Sequence, residues 1–350
     1  MSDSQTSVAY DELLALVTDI FAGCGVPEAD ARHVAECLID ADLRGVPSHG
    51  VNRVPIYTKR LRAGLVNAHP AMTVQEASPV AARVDGDNGL GFLVGRRAMD
   101  EAVTRARTFG VGLVWAFHSN HFGMATSYLL QAVGEGMAAM VMTNASKAMP
   151  IWGSREPFLG TSPFALAAPG GRTPLVLDMA TSVAARGKIR RAAQDKGQIP
   201  AGWALDAEGR PTTDAEAAYN GILLPVGGPK GSGLSLMMEA MAGVMSGANF
   251  GGEVGNQYFD FDAPQNVGHL FMAMRPNLFM PQAEYEARLD VLVDRAKATP
   301  LAAGFDEILM PGERETRLVV ERKAKGVPVP KADLEMLRGE AVGIPGTMAG

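Results

Sequence analysis

Cysteine is almost missing from this chain: Cys24 and Cys37 are the only two thiols among 350 residues. They are too few for a disulfide framework and too isolated for a thiolate metal site. Both fall in a segment of helical periodicity, where they read as buried packing residues. Long apolar runs are missing as well. No run of about eighteen apolar residues is present, so no membrane-spanning helix is expected. The opening Met-Ser-Asp-Ser-Gln-Thr-Ser has neither the basic nor the apolar region of a signal peptide, and a cytoplasmic protein is expected. Positive charge is not in excess either: 32 Lys and Arg face 38 Asp and Glu, a net charge of -6, which gives no electrostatic reason to expect nucleic acid as a partner. The histidines His33, His49, His69, His118, His121 and His269 form no HExxH pattern and adjoin no acidic cluster, so no metal is expected. Internal repeats and low-complexity stretches are missing too.

Glycine is abundant. The 40 glycines gather in short clusters between apolar runs, the pattern of a chain with many close backbone approaches and ligand-lined loops. With 47% hydrophobic and 20% charged residues, the composition is that of a globular protein. Its length suits two domains or one large one. Tyr10 to Cys24 and Pro27 to Leu43 carry apolar residues at threes and fours, and Gly25-Val26-Pro27 supplies a stop and a start between them. From about residue 75 the pattern alternates. Strands are expected at 81–85, 111–117, 138–143, 164–168, 175–178 and 269–274, and helices at 94–108, 128–135, 232–246, 282–298 and 332–337. The reading is an α/β protein with a helical domain over 1–75, joined by about 281–350, and an α/β domain over 76–280 that binds cofactor and substrate.

Pro47-Ser48-His49-Gly50-Val51-Asn52-Arg53 places a hydroxyl, an imidazole and a guanidinium together, the groups needed to hold and protonate a small carboxylate. Ser48 reads as a helix N-cap, and His49, Arg53 and Tyr57 recur every four residues, which on a helix is one stripe at the positive end of its dipole. Pro55 would kink such a helix or start a new one, and a capped surface helix with an incidental histidine accounts for the same residues. Ser119-Asn120-His121-Phe122-Gly123 follows a buried strand, where α/β folds place ligand groups and where an imidazole can act as acid and base.

Two glycine motifs fail as nucleotide fingerprints. Gly89-Leu-Gly91-Phe-Leu-Val-Gly95 has its last spacing one residue too long and lacks the acidic residue of a Rossmann fold. Gly227-Gly228-Pro229-Lys230-Gly231 lacks the Ser or Thr and the spacing of a P-loop, yet as a glycine-rich loop opening a helix it could hold a phosphate through Lys230. A tight turn with a solvated lysine is the alternative. Leu177-Asp178-Met179-Ala180 ends a strand with an acid that could accept from a ribose hydroxyl. In Arg186-Gly187-Lys188 the lysine could orient an acid or polarise a carbonyl; capping and surface charge explain the cluster equally well.

Together these segments, with Gly160-Thr-Ser-Pro163, Ile199-Pro-Ala-Gly-Trp203, Asn266-Val-Gly-His-Leu-Phe271 and Met310-Pro-Gly-Glu-Arg-Glu315, resemble the type 2 malate/L-lactate dehydrogenase family, whose members include ureidoglycolate and sulfolactate dehydrogenases and cyclic imine reductases. The resemblance runs through nearly the whole chain. It implies a non-Rossmann NAD(P)-binding fold with a mixed-sheet core, NAD or NADP as cofactor and a homodimer. It also implies Ser48 and His49 as a proton-donating pair, Arg53 and Thr161 as carboxylate ligands, and His121 as an acid/base beside the nicotinamide. Residues His121, Phe122, Gly123, Met124 and Ala125, then Asp178, Met179 and Ala180, Lys230, and the loop Pro311, Gly312 and Glu313 are the implied cofactor contacts. Tyr57 joins the substrate residues and Lys188 the catalytic ones. Either His49 or His121 could give the proton. Cyclic imine reductases of the family tend to carry an acid where this chain has Lys188, so a small 2-oxo acid is the expected substrate and a cyclic imine the alternative. A catalytically silent carboxylate- or nucleotide-binding protein is a third reading, disfavoured by His49, Arg53, His121 and Lys230 occurring together. Asn144-Ala145-Ser146-Lys147 is more basic than the family's usual loop, and Lys147 and Arg186 are the candidates for a 2′-phosphate.

Overall fold

The computed structural model describes residues 5–342. The chain opens with strand β1 (Gln5–Val8), helices α1 (Tyr10–Gly23) and α2 (Glu28–Leu43), two single 3-10 turns at Pro47–His49 and Val51–Arg53, and α3 (Val54–Arg62). Next come β2 (Thr73–Ser78), β3 (Ala81–Asp85), α4 (Gly91–Phe109), β4 (Val111–Ser119), α5 (Thr126–Gly134) and β5 (Ala138–Thr143). A looped stretch holds β6 (Met149–Pro150), β7 (Pro157–Leu159), β8 (Phe164–Ala168) and β9 (Leu175–Met179). After it stand α6 (Arg186–Gln194), β10 (Ala204–Leu205), β11 (Pro211–Thr212), α7 (Ala215–Tyr219), β12 (Ile222–Leu223) and α8 (Pro229–Met238), which runs on as a π-helical turn over Glu239–Val244. The end of the chain supplies β13 (Val267–Met274), α9 (Gln282–Lys297), α10 (Glu313–Lys325), β14 (Val327–Pro330) and α11 (Lys331–Val342).

Seven strands form one sheet in the order β2-β3-β4-β13-β5-β8-β9. Only β3 and β4 run parallel, with α4 as their crossover, and every other pair in this sheet is antiparallel. A doubly wound nucleotide fold needs consecutive parallel crossovers, so the mixed, non-Rossmann core expected from the resemblance is what the chain builds. Strand β2 was not foreseen, since most of its side chains are exposed at the sheet edge, and no helix was expected over α6 or α10.

Two apolar clusters lie side by side. One gathers α1, α2 and α3 with Val327, Val329, Leu334 and Leu337, and β1 pairs antiparallel with β14 at its rim. The other joins α4 and α5 to the central strands. Helix α9 lies elsewhere: Tyr285 donates to the Pro169 carbonyl and Arg172 pairs with Asp290 and Asp294, beside the sheet. Helix α4 stitches the clusters together, with Phe92 in the first and Val94 and Ala98 in the second. Its glycines explain the motif that failed as a fingerprint. A Cβ on Gly91 would lie 2.1 Å from the Asn120 carbonyl oxygen and one on Gly95 would lie 2.5 Å from the Tyr128 ring, so these glycines let α4 press against the end of β4 and against α5.

At the centre of the sheet His269 is fully buried. Its Nδ1 lies 2.7 Å from Thr143 Oγ1 and its Nε2 lies 2.8 Å from Ser119 Oγ, so three adjacent strands share one imidazole. Each hydroxyl also reaches a backbone carbonyl, Thr143 that of Gly268 or Asn144 and Ser119 that of Asn120 at 3.4 Å. Phe122 stacks on the ring at 4.6 Å and 6°. Burial pushes the His269 pKa down from 6.5 to about 3, because no counter-charge faces it. A folded value below the unfolded one means stability that is complete above the unfolded pKa and lost on acidification. The advantage of the wild type over a His269→Gln variant in urea unfolding is expected to shrink by about 1.4 kcal/mol per pH unit below roughly pH 6.5. Parallel curves for the two proteins down to about pH 5 would show that the folded imidazole is not held neutral.

Candidate active site

The stripe anticipated for His49, Arg53 and Tyr57 is not a single helix. Two 3-10 turns break at Gly50, and α3 begins only at Val54. Pro55 sits in the first turn of α3, where a missing N–H costs nothing, so of the two outcomes expected for it, a kink or a new helix start, it gives the second. Ser48 does not cap a helix. Its Oγ lies 3.0 Å from His49 Nδ1 inside the first turn, making the pair that the resemblance implied.

The three side chains still meet, because the turns fold them over the exit of β4. His49 and His121 stack with ring centroids 5.6 Å apart. Tyr57 Oη lies 2.7 Å from His121 Nδ1, and the Gly123 N–H donates to the same nitrogen at 3.2 Å. A backbone N–H can only donate, so Nδ1 is an acceptor and the ring carries its proton on Nε2. Arg53 donates through Nε to the Ser48 carbonyl at 2.6 Å, and its guanidinium lies 5.4 Å from the centre of the Tyr258 ring. The terminal guanidinium nitrogens have no protein acceptor among the described residues, which leaves a fork for a carboxylate.

Burial dominates the electrostatics. It lowers His49 to about 4 and takes His121 well below the ordinary imidazole range, and Arg53 beside them pushes both further. Both rings are therefore neutral at neutral pH. Tyr57 is raised by its own burial and stays protonated, as a donor to His121 must.

The loop after β4 is held from several sides. Asn120 spends its amide on the Asn88 and Gly89 carbonyls, and Gln265 accepts from the His121 N–H at 3.3 Å. Tyr128 donates to the Phe122 carbonyl at 2.6 Å. The side chains of Phe122, Met124 and Ala125 are buried, so toward a cofactor this stretch offers the His121 ring and backbone groups.

A second row leads away from His121. Asp178, at the end of β9, accepts through Oδ2 from the N–H and hydroxyl of Thr126 at 2.8 and 2.9 Å. It caps α5. Burial raises its pKa, with the Thr126 bonds and the Ala125 N–H opposing. Thr181 donates twice to the Thr161 carbonyl, at 2.9 and 3.1 Å, which holds Thr161 against the segment after β9, and the Thr161 hydroxyl makes no hydrogen bond among the described residues. Val226 in turn donates to the Thr181 carbonyl, which brings Gly227-Gly228 and Lys230 alongside. Both glycines have positive φ, and Lys230 opens α8 exposed and without an ion-pair partner among the described residues. On the other side of β9, Val176 donates to the Pro311 carbonyl at 3.0 Å, and a Cβ on Gly312 would lie 2.9 Å from Val176 Cβ. Glu313 is already committed: Lys297, Arg317 and the Met310 N–H hold its carboxylate, and the Lys297 bond leads in lowering it to about 2. The loop can therefore present only Pro311 and Gly312 freely.

Thus the structure brings Ser48, His49, Arg53, Tyr57 and His121 together, sets Phe122 to Ala125, Asp178 to Ala180, Thr161 and Lys230 near one sheet end, and lays the Pro311 to Glu313 loop along the edge strand β9 at Val176, toward the other end. Lys188 is exposed in the first turn of α6, and its side chain makes no hydrogen bond or ion pair among the described residues. Sequence reasoning missed Tyr258 and Gln265, which reach Arg53 and His121 from a loop roughly 140 to 200 residues downstream, and no local pattern marks either.

The profile of the malate/L-lactate dehydrogenase family matches residues 8–338. The L-sulfolactate dehydrogenase of Methanocaldococcus jannaschii is 42% identical over 311 residues, 88% of this chain and 89% of that one. The malate dehydrogenase of Pyrococcus horikoshii is 38% identical over 356 residues, 99% of this chain and 98% of that one. The solved structure of the Methanocaldococcus jannaschii sulfolactate dehydrogenase is similar with a TM-score of 0.92 at 39% identity, covering 97% of each chain. With the mixed sheet and the paired imidazoles on the page, the conclusion is direct: the chain belongs to the malate/L-lactate dehydrogenase family.

Proposed function

We propose that this NAD(P)-dependent 2-hydroxy acid dehydrogenase reduces a small 2-oxo acid at the cleft where Arg53 and His121 face each other. The observation that carries the reading is a guanidinium fork left open beside two stacked neutral imidazoles. Relatives named for sulfolactate and malate support a substrate with a second acidic group. The residues from Asp178 to Ala180, the Pro311-Gly312 turn and the unpaired Lys230 at the α8 N-terminus fit a dinucleotide, since they supply a hydroxyl acceptor, backbone surface and a cation for phosphate. Bound there, the nicotinamide supplies or accepts the hydride at C2.

The chain's own work is positioning and proton transfer. Arg53 grips the carboxylate through its two free nitrogens, and Thr161 is the second ligand. The carbonyl oxygen faces Nε2 of His121, whose other nitrogen is fixed by Tyr57 and Gly123. A carboxylate on Arg53 cancels part of the charge that depresses both imidazoles, so His121 can carry the proton that the developing alkoxide takes. The Ser48–His49 pair stands behind it to replace that proton. In the reverse direction Nε2 accepts the proton of the substrate hydroxyl once the ring hydrogen has moved to Nδ1, where Tyr57 Oη takes over as its acceptor.

The second copy of a homodimer is the partner we propose for α8 and the π-helical turn. This helix is apolar nearly all round, and Leu234, Leu236, Met237, Val244 and Met245 are 40% to 58% exposed. A helix of that kind is ordinarily covered on every side. No helix among the described residues is long and apolar enough to cross a membrane, and both cysteines are free, which supports the cytoplasm as the compartment. We also keep the division into a helical domain and an α/β domain as a proposal, supported by the two apolar clusters.

Initial rates with NADH and NADPH against pyruvate, oxaloacetate and a cyclic imine test the reaction. Oxo acid turnover is expected, with the KM for the oxo acid raised about tenfold or more in Arg53→Lys and kcat lowered about 100-fold in His121→Asn. Turnover of the imine alone would overturn the reading. Sedimentation equilibrium is expected to show a dimer that Met237→Asp converts to monomer, and a monomeric wild type would remove the partner assignment.

A further inference from the structure

We infer that Asp42 is a positioning residue for this reaction: its carboxylate, placed behind the Pro47–Arg53 turn, sets where His49 and Arg53 stand. The inference rests on the reading of those two residues given above. Asp42 lies near the end of α2 and is 5% exposed. Its Oδ2 accepts from the Val51 N–H at 2.8 Å. A Cβ on Gly50 would fall 2.1 Å from Oδ1 and 2.3 Å from Oδ2, so the glycine at the break between the two 3-10 turns is there because the carboxylate occupies the space of a side chain.

The grip falls midway between the functional groups. His49 precedes Gly50 directly, and Arg53 follows Val51 by two residues. The turns themselves are short: His49 N–H to Val46, Gly50 N–H to Pro47 and Arg53 N–H to Gly50 are single bonds of 3.0 to 3.2 Å. Val51 is 2% exposed, and without Asp42 its N–H would have no acceptor, a state buried backbone avoids. Removing the carboxylate therefore frees the segment to rearrange where Arg53 must hold the substrate. The effect of Asp42 passes through the turn.

The charge on this group is set by burial first, then by its neighbours. Burial lifts the Asp42 carboxyl to about 7, with the Val51 N–H and Arg322 of α10 lowering it and Asp333 of α11 raising it. Arg322 also donates to the Asp42 backbone carbonyl. The ionised carboxylate binds the Val51 N–H more strongly than the acid does, so the turn tightens as pH rises through neutrality.

Steady-state kinetics of the full chain, with oxo acid and nicotinamide varied separately, tests the assignment in Asp42→Leu and Asp42→Asn. The leucine is expected to raise the oxo acid KM about tenfold while the nicotinamide KM moves less than about twofold. The asparagine keeps an acceptor for Val51, so it is expected to recover most of that loss and to flatten the bend in oxo acid KM near neutral pH. An unchanged KM in the leucine variant, or both substrates' KM values rising in step in both variants, would overturn the inference. If the leucine variant does not fold, the bend alone decides: its persistence in Asp42→Asn rules Asp42 out. Arg53→Lys in the same assay separates the two levels, since a normal oxo acid KM there would fail the site reading itself.

Discussion

The hydrogen bond from Tyr57 to His121 ties the helical core to the exit of a central strand, beside the α4 helix that spans both apolar cores. Tyr57 belongs to the helical cluster, where its ring meets Phe92 edge-on at 5.3 Å. His121 belongs to the exit of a central strand. Because the hydroxyl and the Gly123 N–H both point at Nδ1, the imidazole has one tautomer, and its reactive nitrogen faces the cleft. Any shift of one core against the other would be felt first at this bond.

Close packing makes that precision possible. Glycine at 91 brings α4 against the Asn120 and His121 backbone, and Asn120 then closes the gap to Asn88 and Gly89 with its amide. Beneath the same loop, Phe122 stacks on His269, whose two nitrogens tie β13 to the strands on either side. His121, the proposed acid/base residue, thus stands on a polar network built around His269. Buried networks of this kind hold one geometry because each alternative leaves a donor or acceptor unpaired.

Electrostatic design runs in the opposite direction to the substrate's charge. Two imidazoles are kept neutral by burial and by Arg53, so the free site holds a single concentrated cation. In the proposed reaction an incoming carboxylate meets it directly and, once seated, relieves the imidazoles assigned to carry the proton. Binding and proton affinity are linked through one guanidinium.

Much of this was legible in the linear chain. Periodicity placed α1, α2, α4, β4, β5, β13 and α9 close to where they lie, since each has a strongly apolar face. The clustering of Ser48, His49 and Arg53, and of Ser119 to Gly123, marked both halves of the cleft because polar residues of those types sit directly against core elements. The sequence alone could also show that Gly89 to Gly95 is no nucleotide fingerprint, from spacing. Tertiary structure alone decided the rest. It replaced the expected Ser48-capped helix by two turns, because a buried carboxylate from α2 seizes Val51 and leaves room only for glycine at 50. It put Tyr258 on Arg53 and Gln265 on His121 across long separations, left Lys188 exposed in the first turn of α6 and spent Glu313 on Lys297 and Arg317. Local pattern reports which face of an element is apolar. Which partners a charge finds depends on how distant segments close against one another, and that is fixed only when the two cores pack.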